Sequence, residues 1–141
     1  MTGDEPQKIL GRLATPQSSA KIFTGLIMLV CAFQFALALG APWGRFAMGG
    51  IYPHAYPAGM RVAALAQVGV LAAAAFVVLS RAGLAWPSGR RQARWLIWVI
   101  TGALLLGCAL NLMSPSEGER LLWSPVALAL FLSAARVALS R

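Results

Sequence analysis

The chain carries four acidic side chains, and two of them, Glu117 and Glu119, stand beside Arg120 in the segment Asn111-Leu-Met-Ser-Pro-Ser-Glu-Gly-Glu-Arg120. A carboxylate in such a place can clamp an arginine, hold a cationic or hydrogen-bonding ligand, or move a proton. Two further arginines, Arg45 and Arg61, belong to a Gly- and Pro-rich stretch, residues 41–61, that also holds Trp43, Tyr52, Tyr56 and the single histidine, His54. Trp43, Arg45, Arg61, Asn111, Glu117, Glu119 and Arg120 therefore form a first candidate cluster. An ion pair from Glu119 or Glu117 to Arg45 or Arg61 is the expected link between the two segments, with a structural clamp the simplest role for it. His54 has no Cys, Asp or Glu near it in sequence, so no metal site is expected and it reads as a solvated loop residue. A second candidate set is made of polar residues inside apolar runs: Gln34, Gln67, Asn111 and Ser124. These could line a shallow pocket together with Trp43, or serve as packing glue between helices. Cys31 and Cys108 lie in apolar runs as packing residues, and the absence of C-x-x-C argues against disulfide exchange.

The elements that must position these groups follow from composition. Hydrophobic residues make up 59% of the 141 and charged residues 11%, whereas soluble domains average about 45–50% and about 25%. Residues 22–40, 62–80 and 95–113 are three uncharged runs of 19 residues each, and residues 121–135 are a fourth run of 15 that ends at Arg136. A membrane-spanning helix needs about 20 residues. The fourth run reaches that length if it begins in the Ser114-Pro115-Ser116 segment and lets Arg136 snorkel to the headgroups at its far end. The expected architecture is an all-α integral membrane four-helix bundle, up-down-up-down. It has a polar, flexible N-terminal tail over 1–21 and a transmembrane domain over 22–139, with spans at about 22–40, 62–80, 95–113 and 119–139. A cleaved signal peptide is the competing reading of the first run, but the run is long for one and a polar tail precedes it.

Charge gives the orientation. Lys8, Arg12, Lys21, Arg81, Arg90, Arg91, Arg94, Arg136 and Arg141 fall on one side of the spans, nine residues against three (Arg45, Arg61 and Arg120) on the other. Basic residues are retained on the cytoplasmic side, so both termini are expected in the cytoplasm of a cell whose inner membrane holds the protein. The net charge of +8 then marks topology and attraction to anionic headgroups at the basic cytoplasmic loop, with no nucleic-acid partner. The lipid bilayer is the first partner. A membrane-protein partner or a second copy of the chain is the next.

Local signals refine the picture. Gly40 and Pro42 should stop the first helix, and Gly49-Gly50, Pro53 and Pro57 dictate a turn-rich loop. Ser114 to Glu117 and Ser116 to Glu119 both have the S-x-x-E spacing of a helix-capping box. Pro125 should weaken or kink the fourth helix unless the regular helix begins there. Ala32, Ala36 and Gly40, and likewise Ala103, Gly107 and Asn111, recur at four-residue spacing, as expected where helices approach closely. At about 1.5 Å per residue, Gln34 lies roughly 9 Å and Gln67 roughly 8 Å inside the exterior ends of their helices, with Asn111 and Ser124 within about 5 Å of theirs.

The combination of Ala41-Pro42-Trp43-Gly44, Gly49-Gly50, Pro57, Arg61-Val62 and N-x-x-S-P-S-x-x-E-R, followed by Leu122-Trp123-x-Pro125-Val126, resembles a group of uncharacterised small bacterial four-helix integral membrane proteins. The resemblance covers about residues 22–139. It implies that Trp43, Arg61, Asn111, Glu119 and Arg120 belong to the family-like pattern, and it implies no activity. Known functional classes are disfavoured: there is no intramembrane glutamate in the first span as in small multidrug exporters, and no P-loop or H-E-x-x-H. The expectation is a small multi-pass inner-membrane protein without cofactor or metal. It would be an accessory or interaction subunit, or would bind a small molecule or lipid at its outer face. The protomer of an oligomeric solute transporter is the alternative. An exterior enzyme site built on Glu119, His54 and Arg61 comes last.

Overall fold

The computed structural model describes residues 4–13 and 15–140. It contains five α-helices: α1 (Asp4–Leu13), α2 (Pro16–Leu39), α3 (Ala58–Arg81), α4 (Arg90–Leu112) and α5 (Glu117–Ala138). Short 3-10 turns at Gly44–Phe46, Met48–Gly50 and Pro87–Gly89 complete it, and the described residues contain no strand. Helices α2 to α5 form a four-helix bundle, and each is long and apolar enough to cross a membrane. Their surfaces agree with that reading. Met28 is 67% exposed, Val70 68% and Leu106 61%, a load of outward apolar side chains that water would not tolerate on a monomer.

The N-terminal segment, expected as a polar tail over 1–21, contains helical structure. Residues 4–13 are helical, and α2 begins at Pro16, six residues before the uncharged run. The start is local chemistry: the Thr15 hydroxyl accepts from the Ser18 amide at 3.1 Å, and Pro16 takes the first helical position, where no amide is needed. Spacing between charges measures an apolar run, and the hydrogen-bonded helix is longer. The same holds at α3 and α4, which extend past residues 62–80 at both ends and start before 95. Arg141 and the Arg12 side chain, counted above among the cytoplasmic charges, lie outside the described residues.

Helix α2 stops where Gly40 was expected to stop it. Gly40 adopts φ +99°, its amide donates to the Leu37 carbonyl at 3.1 Å, and the Ala41 amide donates to Ala36 at 2.9 Å. This is the Schellman arrangement that a left-handed residue permits. Pro125 lies inside α5, and the helix runs through it from Glu117, so the regular helix does not begin at the proline.

The buried core is in two pieces. The larger joins Phe23 and Ile27 of α2, Val78 of α3, Ile97 of α4, and Leu130, Ala134 and Val137 of α5. The smaller gathers Leu37, Tyr56 and Ala64, with Phe33, Tyr52 and Met60 packed against them. Side-chain contacts define the two ends of the bundle. At one, here the arginine end, the Gln17 amide reaches the Ala82 carbonyl at 3.5 Å and Arg81 reaches Ser140. At the other, the carboxylate end, the loop after α2 meets the start of α5. Helices α2 and α3 pack closely, as do α4 and α5, while α3 against α4 is the looser seam.

Candidate functional site

Three hydrogen bonds fasten the loop after α2 to the first turns of α5. The Ser116 hydroxyl donates to the Arg45 carbonyl at 2.6 Å, the Trp123 indole Nε1–H donates to the Phe46 carbonyl at 2.7 Å, and the Gly49 amide donates to Glu119 Oε2 at 2.6 Å. The loop can meet α5 this closely because of its glycines. Gly49 and Gly50 have φ of +69° and +75°, a left-handed curl that costs glycine little. Gly44 donates its amide to the His54 carbonyl at 3.1 Å, and a Cβ at Gly44 would lie 1.9 Å from the Tyr52 carbonyl oxygen.

The expected capping box is half formed and extended by one serine. Ser116 is the N-cap of α5, its hydroxyl accepting from the Glu119 amide at 3.3 Å. The reciprocal bond, from the Ser116 amide to the Glu119 carboxylate, is absent. Instead the Ser116 amide donates to the Ser114 hydroxyl at 3.2 Å, and that hydroxyl donates to Glu119 Oε2 at 2.7 Å. Ser114 thus relays the cap and lets the carboxylate reach across to Gly49.

The ion pair expected between Glu119 or Glu117 and Arg45 or Arg61 is not made. Arg61 Nε donates to the Tyr56 carbonyl at 2.8 Å, and its guanidinium lies against Gly40 at the C-terminal end of α2, where a Cβ would come within 3.0 Å of it. That carbonyl-rich helix end favours a cation. Arg45 rests over the Phe46 ring at 4.7 Å, Arg120 donates to the Ser114 carbonyl at 2.9 Å, and Glu117 is exposed. Trp43 is on the surface, stacked on Phe33. His54 is exposed. The first candidate cluster is therefore not one ion-paired group: backbone carbonyls hold Arg61 and Arg120, and Glu119 bonds across to the loop.

Below that carboxylate lies a cavity of about 360 Å³ in the gap between the two core pieces. Gln34, Gln67 and Asn111 all line it, from α2, α3 and α4, and Glu119 lines it from α5. Three of the four intramembrane polar residues expected in a pocket do converge, while Trp43, expected alongside them, does not line it. The fourth, Ser124, does not: its hydroxyl is buried without a hydrogen-bond partner and lies outside the cavity wall. The other end of the cavity is apolar, formed by Val30, Leu71, Leu104, Val126 and Leu130. Glu119 is the one charged residue in the wall among the described residues. Both of its hydrogen bonds fall on Oε2, leaving Oε1 without a partner among them.

Small residues make the space. Ala103 and Gly107 of α4, expected to form a close seam with a neighbouring helix, line the cavity instead. A Cβ on Gly107 would meet nothing within 4 Å. On α2, Ala32 of the corresponding stripe is exposed. The wall residues that remain exposed are Ala63 and Gln67 on α3, Ala103 on α4 and Met48 in the loop. The cavity thus opens sideways along the loose α3–α4 seam, under the loop.

Four participants carried no signal in the sequence reading as site residues: Tyr56, Trp123, Phe46 and Gly49. Trp123 could have been found, since an indole N–H in an apolar helix needs an acceptor. Tyr56 is buried against Tyr52 at a ring distance of 5.8 Å. Burial holds its phenol above the ordinary range, and the charge of Glu119 and the neighbouring Tyr52 push the same way. Among the described residues no group of three or more His, Cys, Asp or Glu could hold a metal ion.

No family model, curated protein or solved structure matches the chain.

Proposed function

We propose that this chain is a multi-pass inner-membrane protein, with both termini in the cytoplasm, that binds an amphiphilic molecule taken from the outer leaflet of the bilayer. The observation that carries the reading is the two-ended cavity with a side opening. Its apolar end suits a hydrocarbon or ring system. Its polar end offers three side-chain amides and one carboxylate oxygen without a protein partner to a head that donates hydrogen bonds, such as an ammonium, hydroxyl or amide group. The volume is within the range of about 300–1,000 Å³ usual for small-molecule sites.

The orientation rests on the nine basic residues that alternate helix ends would collect on one side, with three on the other. In that orientation the cavity lies in the outer half of the membrane and its opening along α3 and α4 faces lipid, so the ligand reaches it by lateral diffusion. An enzyme built on Glu119, His54 and Arg61 has less support, because neither His54 nor Arg61 lines the cavity and Arg61 Nε is occupied by a backbone carbonyl.

The test compares the wild-type protein with Gly107→Leu, which adds bulk at a residue of the cavity wall where a Cβ meets nothing within 4 Å. These two and Glu119→Gln are released from membranes in mild detergent, and the small molecules they retain are identified by mass spectrometry. The wild type should retain an amphiphile that Gly107→Leu lacks and Glu119→Gln holds less well. An identical retained set in all three would overturn the reading.

A further inference from the structure

The arginine end carries a second recess, unrelated to the cavity above. It has a volume of about 710 Å³ and is lined by Arg81, Arg90, Arg94, Trp98, Ala138 and Ser140. We propose that it is a binding site for a phosphate group.

Three arginines face one space from two helices. Arg81 is the last residue of α3 and Arg90 the first of α4. Arg94 and Trp98 follow Arg90 at four-residue intervals, so all three project from one face of α4. Arg81 lies within electrostatic reach of both Arg94 and Arg90. No acid lines the recess among the described residues, so the three cations repel one another and a bound anion removes that repulsion.

The arginines are held in place by contacts that leave other donors free. Arg81 donates to the Ser140 carbonyl at the end of α5. The Arg90 guanidinium lies against Gly83, whose φ is +79° and where a Cβ would come within 3.0 Å of the Arg90 nitrogen. Each guanidinium has five N–H donors in a planar fork that matches phosphate oxygens. The start of α4 adds to the field: Gly89 gives it no side-chain cap and its first turn has no acid, so its positive end is uncompensated. Trp98, 52% exposed, stands one turn deeper, between the cations and the apolar part of the helix.

The phosphate can belong to an anionic lipid headgroup or be free in solution, and the experiment separates the two. The full chain in mild detergent is mixed with phosphatidylglycerol or with phosphatidylcholine, and bound lipid is counted by native mass spectrometry. A second arm follows thermal unfolding with added inorganic phosphate. The double variant Arg90→Gln and Arg94→Gln should lower retained phosphatidylglycerol by at least about ten-fold, the loss expected for even one charge-assisted contact. Arg91→Gln, which removes an exposed arginine outside the recess, should leave retention unchanged, and Arg94→Lys should restore part of it. Lipid retention that depends on Arg90 and Arg94 supports the headgroup as the source. Stabilisation by inorganic phosphate at the same two residues, without lipid retention, supports the free ion. An equal loss in Arg91→Gln, or no effect of the double variant in either arm, overturns the site.

Discussion

The Gly49 amide and the Glu119 carboxylate meet at 2.6 Å across 70 residues of sequence. One backbone N–H in a left-handed curl thereby fastens the loop after α2 over the polar end of a cavity, and the carboxylate that receives it also lines that cavity. Closure of the loop and the chemistry of the polar end depend on the same side chain.

Replacing Glu119 by Ala should cost about 1–3 kcal/mol, because the Gly49 amide and the Ser114 hydroxyl both lose their acceptor. Glu119→Gln keeps an acceptor oxygen and should cost less. Thermal unfolding in mild detergent, with limited proteolysis at residues 45–57, reads both effects. Equal loss in the two variants would show that the charge, and not the acceptor, holds the loop.

Gly107→Leu and Gly44→Ala should act in opposite directions. The first fills empty space and gains helix propensity, up to about 1 kcal/mol, so its unfolding midpoint should rise. The second drives a methyl group to within 1.9 Å of the Tyr52 carbonyl, an overpacking that should cost at least about 1–3 kcal/mol. A parallel comparison of midpoints checks the pair.

Ser124→Ala should be neutral or stabilising by up to about 1 kcal/mol, since it removes a buried hydroxyl that has no partner and leaves the cavity wall intact. A loss of retained ligand in this variant would place Ser124 at the site after all.

Tyr56 should make the protein alkali-sensitive. Its phenol is held above the ordinary value of 10.0 by burial first and then by Glu119 and Tyr52, so the folded state prefers the protonated form more than the unfolded state does. The stabilisation is complete below pH 10 and is lost as pH rises above that value towards the folded-state pKa. Unfolding midpoints measured from neutral to strongly alkaline pH should fall in the wild type, and less steeply in Tyr56→Phe.

The four membrane-length helices, the stop at Gly40 and the cap at Ser116 are written in local sequence, because length, apolar content and single-residue backbone preferences act within a few residues of one another. The convergence of Gln34, Gln67 and Asn111 was legible as a shared depth, since rise per residue is fixed along a helix. What Glu119 binds was not legible. Its partner across the bundle is a backbone N–H, a group present at every non-proline residue, and only the curl at Met48–Gly50 turns that one towards α5. Charge complementarity favoured Arg45 and Arg61, but a helix end and carbonyl oxygens satisfy arginines equally well. Nor could spacing tell whether Ala103 and Gly107 admit a neighbouring helix or leave a void. That depends on how far α3 stands from α4, which the packing of all four helices decides together.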